Sequence, residues 1–323
     1  MNVLSQQQRR QLDELGYLVV EDVLEPERDI RPLLDEYEVV LDHLAQRLYA
    51  DGAIPSTYPD VPFAQRLICL YCAYDGRLSQ HFDISLPQSG IRPDTPIHLG
   101  PAVFGLLTHP RLLDLVEDVI GPEIYANPVQ HIRMKLPALR LKAGGLSDGI
   151  TASVPWHQDN GVILPEADDA TILTVWLPLT DATVENGCLQ VIPESHRAGL
   201  TPHCPGTGGL TIPTRLLPDR AAVPLPMWAG SALLMHQRTV HSSLDNLTES
   251  EVRISFDLRY QPVGQPTGRP AFPGFVARSR AHPETELRDP DAWAGSWHQT
   301  RDRLLEHDGL PFNRWRSDAE VCA

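Results

Sequence analysis

Two histidines and one aspartate are the residues of this sequence best suited to bind a metal ion. His157 and Asp159 lie in the run Val-Pro-Trp-His-Gln-Asp-Asn, and in an extended strand residues i and i+2 project to the same side. A third ligand must come from a distant strand, and His241 in Arg-Thr-Val-His-Ser-Ser is the candidate. Two imidazoles and one carboxylate form the facial triad typical of non-heme iron(II) oxygenases, which leaves the opposite coordination positions open.

An arginine follows the third candidate ligand after twelve residues. Arg253 lies in Glu-Val-Arg-Ile-Ser-Phe-Asp-Leu-Arg-Tyr, on a predicted strand. Its guanidinium can hold a carboxylate through two parallel hydrogen bonds, so we expect it to share a site with the metal ligands. Arg259 is the alternative, and it is otherwise interpreted as a charge at the surface or at a sheet edge.

Other histidines compete for a place in this site. His236 precedes His241 by five residues, and on a strand this odd spacing places the two imidazoles on opposite faces. A second His-x-Asp pattern, His81-Phe82-Asp83, lies in residues 76–90, which lack the alternation of a strand. No histidine and arginine follow it at matching distances, so we expect this second pattern to take no part in metal binding.

A longer stretch, residues 171–197, carries a series of motifs. It contains Trp, Asn-Gly-Cys-Leu and Ser-His-Arg in that order, combined with the flanking His-Gln-Asp and with His-x-Ser followed by Arg. Residues 12–24 add a helix end, Gly-Tyr-Leu-Val-Val and a loop. Over residues 5–262 the sequence resembles the phytanoyl-CoA dioxygenase family. The resemblance implies a double-stranded β-helix and an enzyme that uses Fe(II), 2-oxoglutarate and O2.

The same resemblance implies how the co-substrate is held. It implies that 2-oxoglutarate chelates the metal through its keto acid end, while Arg253 and the Ser243 hydroxyl bind its far carboxylate. Thr174 and Trp176 share one face of a predicted strand, at a position that lines the co-substrate in relatives. A core role for the tryptophan is the alternative.

His131 and Arg133 are the last candidates. They lie on the predicted strand that precedes the first metal ligands, and relatives use this strand for contacts with co-substrate or substrate. A purely structural role is equally open for each of them.

Helical patterns dominate the first 121 residues. Ser5 and Gln8 form a capping box for a helix that ends before Gly16. Apolar residues recur at helical spacing over residues 26–48, and residues 109–121 have proline at the start and glycine after the last turn. Residues 51–100, rich in proline, predict loops and a short helix over the mouth of the site.

Strand patterns dominate after residue 121. Short apolar or alternating runs predict strands at 17–20, 129–136, 171–179, 189–193, 231–235 and 253–260, whereas 201–223 is predicted to be an irregular insertion. Many short strands with Pro and Gly turns are typical of an eight-stranded jelly roll. We therefore predict an all-β core with flanking helices, a double-stranded β-helix of the cupin-like kind.

We expect the 323 residues to form one domain. Its predicted parts are a helical part over about 1–121, the β-helix core over about 122–262 and a C-terminal extension over 263–323. In the extension, Trp293 and Trp297 predict a helix that docks back on the core.

Composition limits the partners. The formal charge of −15 disfavours a nucleic-acid or anionic-membrane surface. Without an apolar signal region or a run of membrane-spanning length, we expect a cytoplasmic protein. The Cys69-Leu-Tyr-Cys72 pair has metal or redox spacing, but its apolar neighbours favour buried free thiols.

The family resemblance implies a dioxygenase, and we expect it to hydroxylate an unactivated C–H bond of a small-molecule metabolite. Desaturation, epimerisation or cyclisation of a natural-product intermediate are alternatives on the same fold. A non-catalytic jelly roll that binds a small molecule is a further alternative, but it would be expected to have a broken triad or to lack the arginine. Halogenation is disfavoured because Asp159 occupies the position at which halogenating relatives need a small residue.

Overall fold

The computed structural model describes residues 3–74, 76, 78–141, 153–206, 209–306, 311–312, 314–316 and 320–322. Its α-helices are α1 (Gln6–Leu15), α2 (Arg31–Ala50), α3 (Phe63–Ala73), α4 (Pro101–Leu107), α5 (Pro110–Ile120) and α6 (Pro290–Leu305). Its strands are β1 (Tyr17–Val20), β2 (Glu123–Ala126), β3 (His131–Lys135), β4 (Leu173–Pro178), β5 (Leu189–Val191), β6 (Cys204–Gly206), β7 (Gly209–Thr211), β8 (Val223–Leu225), β9 (Ala232–His236), β10 (His241–Ser243), β11 (Arg253–Pro262) and β12 (Phe275–Ser279).

The N-terminal helices follow the local sequence closely. The Ser5 hydroxyl accepts a hydrogen bond from the Gln8 amide at 3.2 Å, and the Gln8 side chain accepts one from the Ser5 amide at 2.9 Å, which completes the predicted capping box of α1. Gly16 then ends α1 with a φ of +81°, a conformation that glycine adopts without steric cost. In the proline-rich stretch before α4, α3 is the predicted short helix.

Two antiparallel sheets build the core. The larger sheet has the order β1-β9-β4-β11-β2-β12, with β3 also pairing with β11, and the smaller has the order β10-β5-β8. Trp176 and Leu233 of the larger sheet pack against Leu189 and Val191 of the smaller one. This arrangement confirms the jelly-roll prediction, and β1 and β12 extend the larger sheet beyond the segment predicted as the core.

The alternation of β11 separates an apolar core from a polar interior. One face packs beneath the helices through Ile254, Phe256, Leu258 and Tyr260. The opposite face carries Arg253, Ser255, Asp257 and Arg259, all buried or nearly so. β3 repeats this division, because Ile132 and Met134 join the apolar core and the side chains between them point the other way. The candidates on β3 and β11, namely His131, Arg133, Arg253 and Arg259, therefore lie inside the jelly roll on one face of two paired strands.

The segment after residue 200 departs from the prediction. Residues 201–223 are not wholly irregular, since they contain the β6–β7 hairpin and the start of β8. The sequence did not indicate this hairpin because its strands are short and contain Pro and Gly. The tail also returns to this hairpin, and Cys204 forms a disulfide with Cys322 across a sequence separation of 118.

The C-terminal extension docks on the core as expected. Trp293 and Trp297 of α6 are buried, and β12 pairs with β2 at the sheet edge. Cys69 and Cys72 of α3 are free thiols, but Cys69 is only half-buried and Cys72 is exposed, so the expectation that both are buried is wrong. Within the described residues, no helix is long and apolar enough to cross a bilayer.

Candidate active site

The three candidate ligands meet through a single backbone bridge. His157 and His241 form an isolated antiparallel pair in which each amide donates to the other's carbonyl at 3.0 Å. Their ring centroids are 4.2 Å apart. The chain is extended as far as Gln158 and then enters a 3₁₀ turn at Asp159, so the predicted strand ends earlier than expected. The carboxylate still converges with the imidazoles: one ligand atom from each residue lies within 4.8 Å of the others.

The hydrogen bonds of the two imidazoles select the atoms that face the site. His157 Nδ1 lies 2.9 Å from the Pro155 carbonyl oxygen, and His241 Nδ1 lies 3.0 Å from that of Thr239. A carbonyl oxygen only accepts, so both Nδ1 atoms carry the proton and both Nε2 atoms present a lone pair. Burial and the neighbouring His241 lower the pKa of His157 to about 3, which keeps its ring neutral and able to ligate a metal.

The carboxylate of Asp159 is held from two sides. Thr174 Oγ1 donates to its Oδ2, and the guanidinium of Arg259 contacts its Oδ1. Burial alone would raise the pKa of this carboxyl group, but Arg259, the two histidines and Thr174 together hold the pKa below its usual range. Asp159 is thus ionised and oriented. Such partners fix metal-binding carboxylates and tune their affinity.

Arg259 was misjudged from the sequence. It is only 5 % exposed, so it is neither a surface charge nor a sheet-edge charge, and it forms an ion pair with Asp159. Its place on β11 six residues after Arg253 puts both side chains on the same face. That even spacing was the sequence signal that pointed to an interior role.

The donor set suits a hard-to-borderline divalent metal such as Fe(II). Two neutral imidazole nitrogens and one carboxylate oxygen, without thiolate, form the ligand set that non-heme iron(II) sites share. Among the described residues, these three form the one group of histidine, cysteine and acidic side chains close enough together to hold a metal ion. His236 and His81 lie outside it. We refer to His157, Asp159 and His241 below as the triad.

Arg253 lies in the same pocket as the triad. Its side chain is 1 % exposed, and its guanidinium carbon stands 5.3 Å from the centre of the Trp176 ring. It donates to Ser255 Oγ at 2.5 Å, while its Nε has no partner. Within the described part of the chain Arg253 forms no ion pair, and burial lowers its pKa to about 10. A buried cation without a counter-ion is costly, and a carboxylate ligand would supply the missing charge.

The remaining predicted residues divide between two cavities. Thr174 and Trp176 border the triad pocket together with Arg133, although the Thr174 hydroxyl contacts Asp159. His131 borders a second, open cleft of about 780 Å³, and Arg133 borders both. Arg133 Nε donates to Asp257 at 2.8 Å.

The wall of the open cleft comes from the proline-rich segment predicted to cover the mouth of the site. Asp83 accepts a hydrogen bond from His131 Nδ1 at 2.9 Å. The second His-x-Asp pattern therefore lies outside the triad, but its aspartate lines the open cleft, which shares Arg133 with the triad pocket.

Sequence reasoning missed Lys135, which lies at the other end of the polar interior. Its amine lies 2.6 Å from Ser243 Oγ, and the Val154 amide donates to the same oxygen at 2.7 Å. The predicted co-substrate donor Ser243 therefore already has two partners. Alternation along the sequence of β3 places Lys135 on the same side as His131 and Arg133, but a lysine on a strand is usually solvated, so the pattern alone indicates no role for it.

The comparisons with known proteins match this geometry. The family model "Phytanoyl-CoA dioxygenase (PhyH)" matches residues 12–255. A zebrafish (Danio rerio) phytanoyl-CoA dioxygenase domain-containing protein 1 is 26% identical over 272 residues, which cover 79% of this chain and 89% of that protein. An Arabidopsis thaliana phytanoyl-CoA dioxygenase is 35% identical over 113 residues, which cover 34% of this chain and 39% of that protein. The human peroxisomal phytanoyl-CoA dioxygenase is 25% identical, over 77% of this chain and 66% of that protein.

Solved structures share the fold. The non-heme monooxygenase ThoJ in its apo form matches with a TM-score of 0.58 at 19% identity, over 92% of this chain and 98% of that chain. The epimerase SnoN, in complex with Fe³⁺, alpha-ketoglutarate and nogalamycin RO, matches with a TM-score of 0.51 at 22% identity, over 81% of this chain and 86% of that chain. The carbocyclase SnoK from nogalamycin biosynthesis matches with a TM-score of 0.51 at 19% identity, over 89% of this chain and 94% of that chain.

The family model covers most of the chain, from α1 to the start of β11. It includes all three triad residues and Arg253. The family interpretation of the sequence is thereby confirmed: the chain belongs to the phytanoyl-CoA dioxygenase family.

Proposed function

We propose that this protein is an Fe(II)- and 2-oxoglutarate-dependent dioxygenase that hydroxylates a C–H bond of a small molecule. The observation that carries the proposal is one pocket that holds both the triad and the buried guanidinium of Arg253, which forms no ion pair within the described residues. When bound, iron with 2-oxoglutarate and O2 supplies the oxidising chemistry, with 2-oxoglutarate converted to succinate and CO2.

The triad residues would hold the iron in the protonation states that they have in the structure. Both Nε2 atoms are free of protons, and Asp159 is ionised between Thr174 and Arg259. No rearrangement of protons is needed before the metal enters. Three ligands on one side leave the facing positions for the co-substrate and oxygen.

Arg253 would bind the far carboxylate of 2-oxoglutarate. Its planar fork matches a carboxylate, and Trp176 beneath it limits its movement. Thr174 and Trp176 form the wall of the pocket between these two ends. The co-substrate would therefore lie across the pocket, from the triad to Arg253.

The open cleft beside Arg133 would receive the substrate. Its volume of about 780 Å³ suits a mid-sized organic molecule. Arg133 borders both cavities, so a substrate in the cleft reaches the triad past its side chain. Epimerisation and ring formation begin from the same removal of hydrogen, and SnoN and SnoK are named for these reactions. They are the second candidates.

We also propose that the protein acts in the cytoplasm, as expected from its sequence.

An intact triad and Arg253 oppose the non-catalytic alternative. The experiment is an anaerobic titration of the Fe(II) protein with 2-oxoglutarate, following the visible band that keto acid chelation of iron produces. Candidate substrates are then scored by succinate release and O2 uptake. We expect saturable binding with one 2-oxoglutarate per chain. A protein that holds iron but shows neither band nor affinity for 2-oxoglutarate would refute the proposal.

A further inference from the structure

A buried lysine lies beside the proposed co-substrate anchor. Lys135 is 1 % exposed and is the cross-strand partner of Arg253 in the pairing of β3 with β11. It forms no ion pair with a carboxylate in the described ranges. Two basic side chains thus lie together at the closed end of the polar interior, and the function proposed above uses one of them, Arg253.

The surroundings of the Lys135 amine fit three donated hydrogen bonds. Its Nζ contacts Ser243 Oγ at 2.6 Å, Ser153 Oγ at 3.3 Å and the Leu244 carbonyl oxygen. The carbonyl can only accept. The Ser153 hydroxyl already donates to Asp245, so its oxygen also accepts from the lysine. An ammonium has three N–H groups and a neutral amine has two, so the protonation state decides what happens at Ser243.

The Ser243 hydroxyl has two possible hydrogen-bond arrangements. If Lys135 is an ammonium, the Ser243 oxygen accepts from both Lys135 and the Val154 amide, and its own proton must point elsewhere. If the amine is neutral, the Ser243 proton is drawn to the lone pair on Nζ. Ser243 lies two residues after His241 on β10, on the same side of the strand. Its partner Val154 and its register neighbour Leu189 both border the triad pocket.

We propose that Lys135 is a positioning residue for co-substrate binding: as an ammonium it frees the Ser243 proton to donate to the carboxylate held by Arg253, so that binding takes up a proton at Lys135. The inference rests on the proposed function, because it needs 2-oxoglutarate to be the ligand of Arg253. The ammonium also brings a second positive charge close to that carboxylate.

The charges around Lys135 give the coupling its direction. Burial, then Arg253 and Arg133, lower the pKa of Lys135 to about 6, against the opposing influence of Asp245 and Cys188. Above pH 6 the amine without co-substrate is therefore mainly neutral. A carboxylate bound at Arg253 offsets the two arginines and raises this pKa, so the bound state holds more protons. The affinity for 2-oxoglutarate should be highest near pH 6 and fall as the pH rises.

The glycine of the Asn-Gly-Cys-Leu motif leaves room for this lysine. A Cβ at Gly187 would lie 2.6 Å from Lys135 Cδ and 2.6 Å from the Leu244 carbonyl oxygen, and Gly187 has a φ of +89°. A side chain at this position would displace the lysine stem. The sequence motif and the buried amine thus belong to one arrangement.

The test is calorimetric titration of anaerobic Fe(II) protein with 2-oxoglutarate, between pH 6 and 8.5. Two buffers of different ionisation enthalpy count the protons exchanged. For wild type we expect net uptake of a large fraction of one proton near pH 7.5. The dissociation constant should rise by up to about tenfold per pH unit in the range where Lys135 titrates. A pH-independent constant without proton uptake would overturn the inference by itself, and this measurement needs no variant.

Variants assign the effect to Lys135. Lys135→Gln keeps hydrogen-bonding capacity without the titration, and Lys135→Met removes both. Each should abolish the proton uptake and weaken binding by about ten- to a hundredfold, the usual effect of losing a hydrogen bond that involves a charged group. Equal proton uptake in wild type and Lys135→Gln would refute the assignment.

Serine variants test the route through Ser243. Ser243→Ala should weaken 2-oxoglutarate binding in wild type but add little in the Lys135→Gln background. Ser242→Ala is the matched control, because that hydroxyl contacts Gln190 instead, and it should change neither the affinity nor the proton count. Independent, additive losses from Lys135→Gln and Ser243→Ala would contradict the coupling. If wild type does not bind 2-oxoglutarate at all, the proposed function fails rather than this inference.

Discussion

Replacing Arg253 by alanine separates a co-substrate anchor from a structural charge. Its guanidinium is buried against Trp176, shares the triad pocket and lacks an ion-pair partner in the described residues. Breaking a buried charged pair by removing one partner costs about 3–5 kcal/mol. Lys135 remains nearby and offsets part of the loss, so we expect the lower end of this range. At about 1.4 kcal/mol for each factor of ten, 2-oxoglutarate affinity should fall by about a hundredfold or more.

The protein without 2-oxoglutarate should respond differently to Arg253→Ala. No ion pair is lost from that state, so iron binding should persist, and only the cavity left by the side chain opposes stability. A ligand present at a hundred times its dissociation constant stabilises a fold by about 2.7 kcal/mol. Adding 2-oxoglutarate should therefore raise the melting temperature of the wild-type Fe(II) protein, whereas this rise should be nearly absent in Arg253→Ala. Arg253→Lys should recover part of it, since a point charge replaces the fork incompletely.

Arg269 provides a matched control for this experiment. It is also a buried arginine (3 % exposed) with an unpartnered Nε and a pKa lowered to about 10 by burial. It packs over Phe272 and Phe312, away from the triad pocket. Arg269→Ala should destabilise the protein without changing its affinity for 2-oxoglutarate. If both variants weakened 2-oxoglutarate binding equally, or if Arg253→Ala left the affinity unchanged, the assignment of Arg253 would be wrong.

Four further predictions follow from the site and its supports. Alanine at any one triad position should abolish iron binding and turnover together while circular dichroism stays native; iron retention in such a variant would refute that ligand. Arg259→Leu should weaken iron binding by about ten- to a hundredfold, the usual effect of losing a partner of a metal ligand, and should weaken 2-oxoglutarate binding less. Separate titrations with Fe(II) and with 2-oxoglutarate measure the two affinities. Cys322→Ser should lower the melting temperature, because the disulfide closes a loop of over a hundred residues. Such a loop closure is worth up to about 4–5 kcal/mol in the chain-entropy estimate. Dithiothreitol should lower the melting temperature of the wild-type protein to that of the variant. His81→Ala should leave iron content unchanged, and stoichiometric iron loss would show that the triad is not the metal site.

The outline of the fold and the triad could be predicted because each left a local pattern. The capping box of α1 and the alternation of β11 are set by neighbouring residues. The ligand pattern was recognisable although Asp159 lies in a 3₁₀ turn, since one extended residue between it and His157 was enough to bring them together. Strand β12 and the Cys204–Cys322 disulfide depend on distant partners. Nothing near them in the sequence indicates those partners.

The roles of Arg259 and Lys135 were harder to foresee for a different reason. Charged side chains on strands are usually solvated, and the sequence alone does not show that both faces of β3 and β11 are covered. Once the smaller sheet and the loops enclose the polar face, each of these basic side chains needs an acceptor within the protein or a ligand. Arg259 contacts Asp159, whereas the contacts of Lys135 with other described residues are to neutral oxygens. The difference comes from tertiary packing and not from any property of the two residue types.

The order of charges along β3 and β11 explains how one interior can receive two different molecules. At the closed end, Lys135 and Arg253 are cross-strand partners, and neither forms an ion pair with an acid in the described part of the chain, so this end favours an anion. One step outward, Arg133 is paired with Asp257, and at the open cleft His131 is paired with Asp83. Within each of these outer pairs, the acidic side chain compensates the basic one. If the proposed function holds, charge would direct 2-oxoglutarate to the closed end, while shape and hydrogen bonding would select the substrate in the cleft.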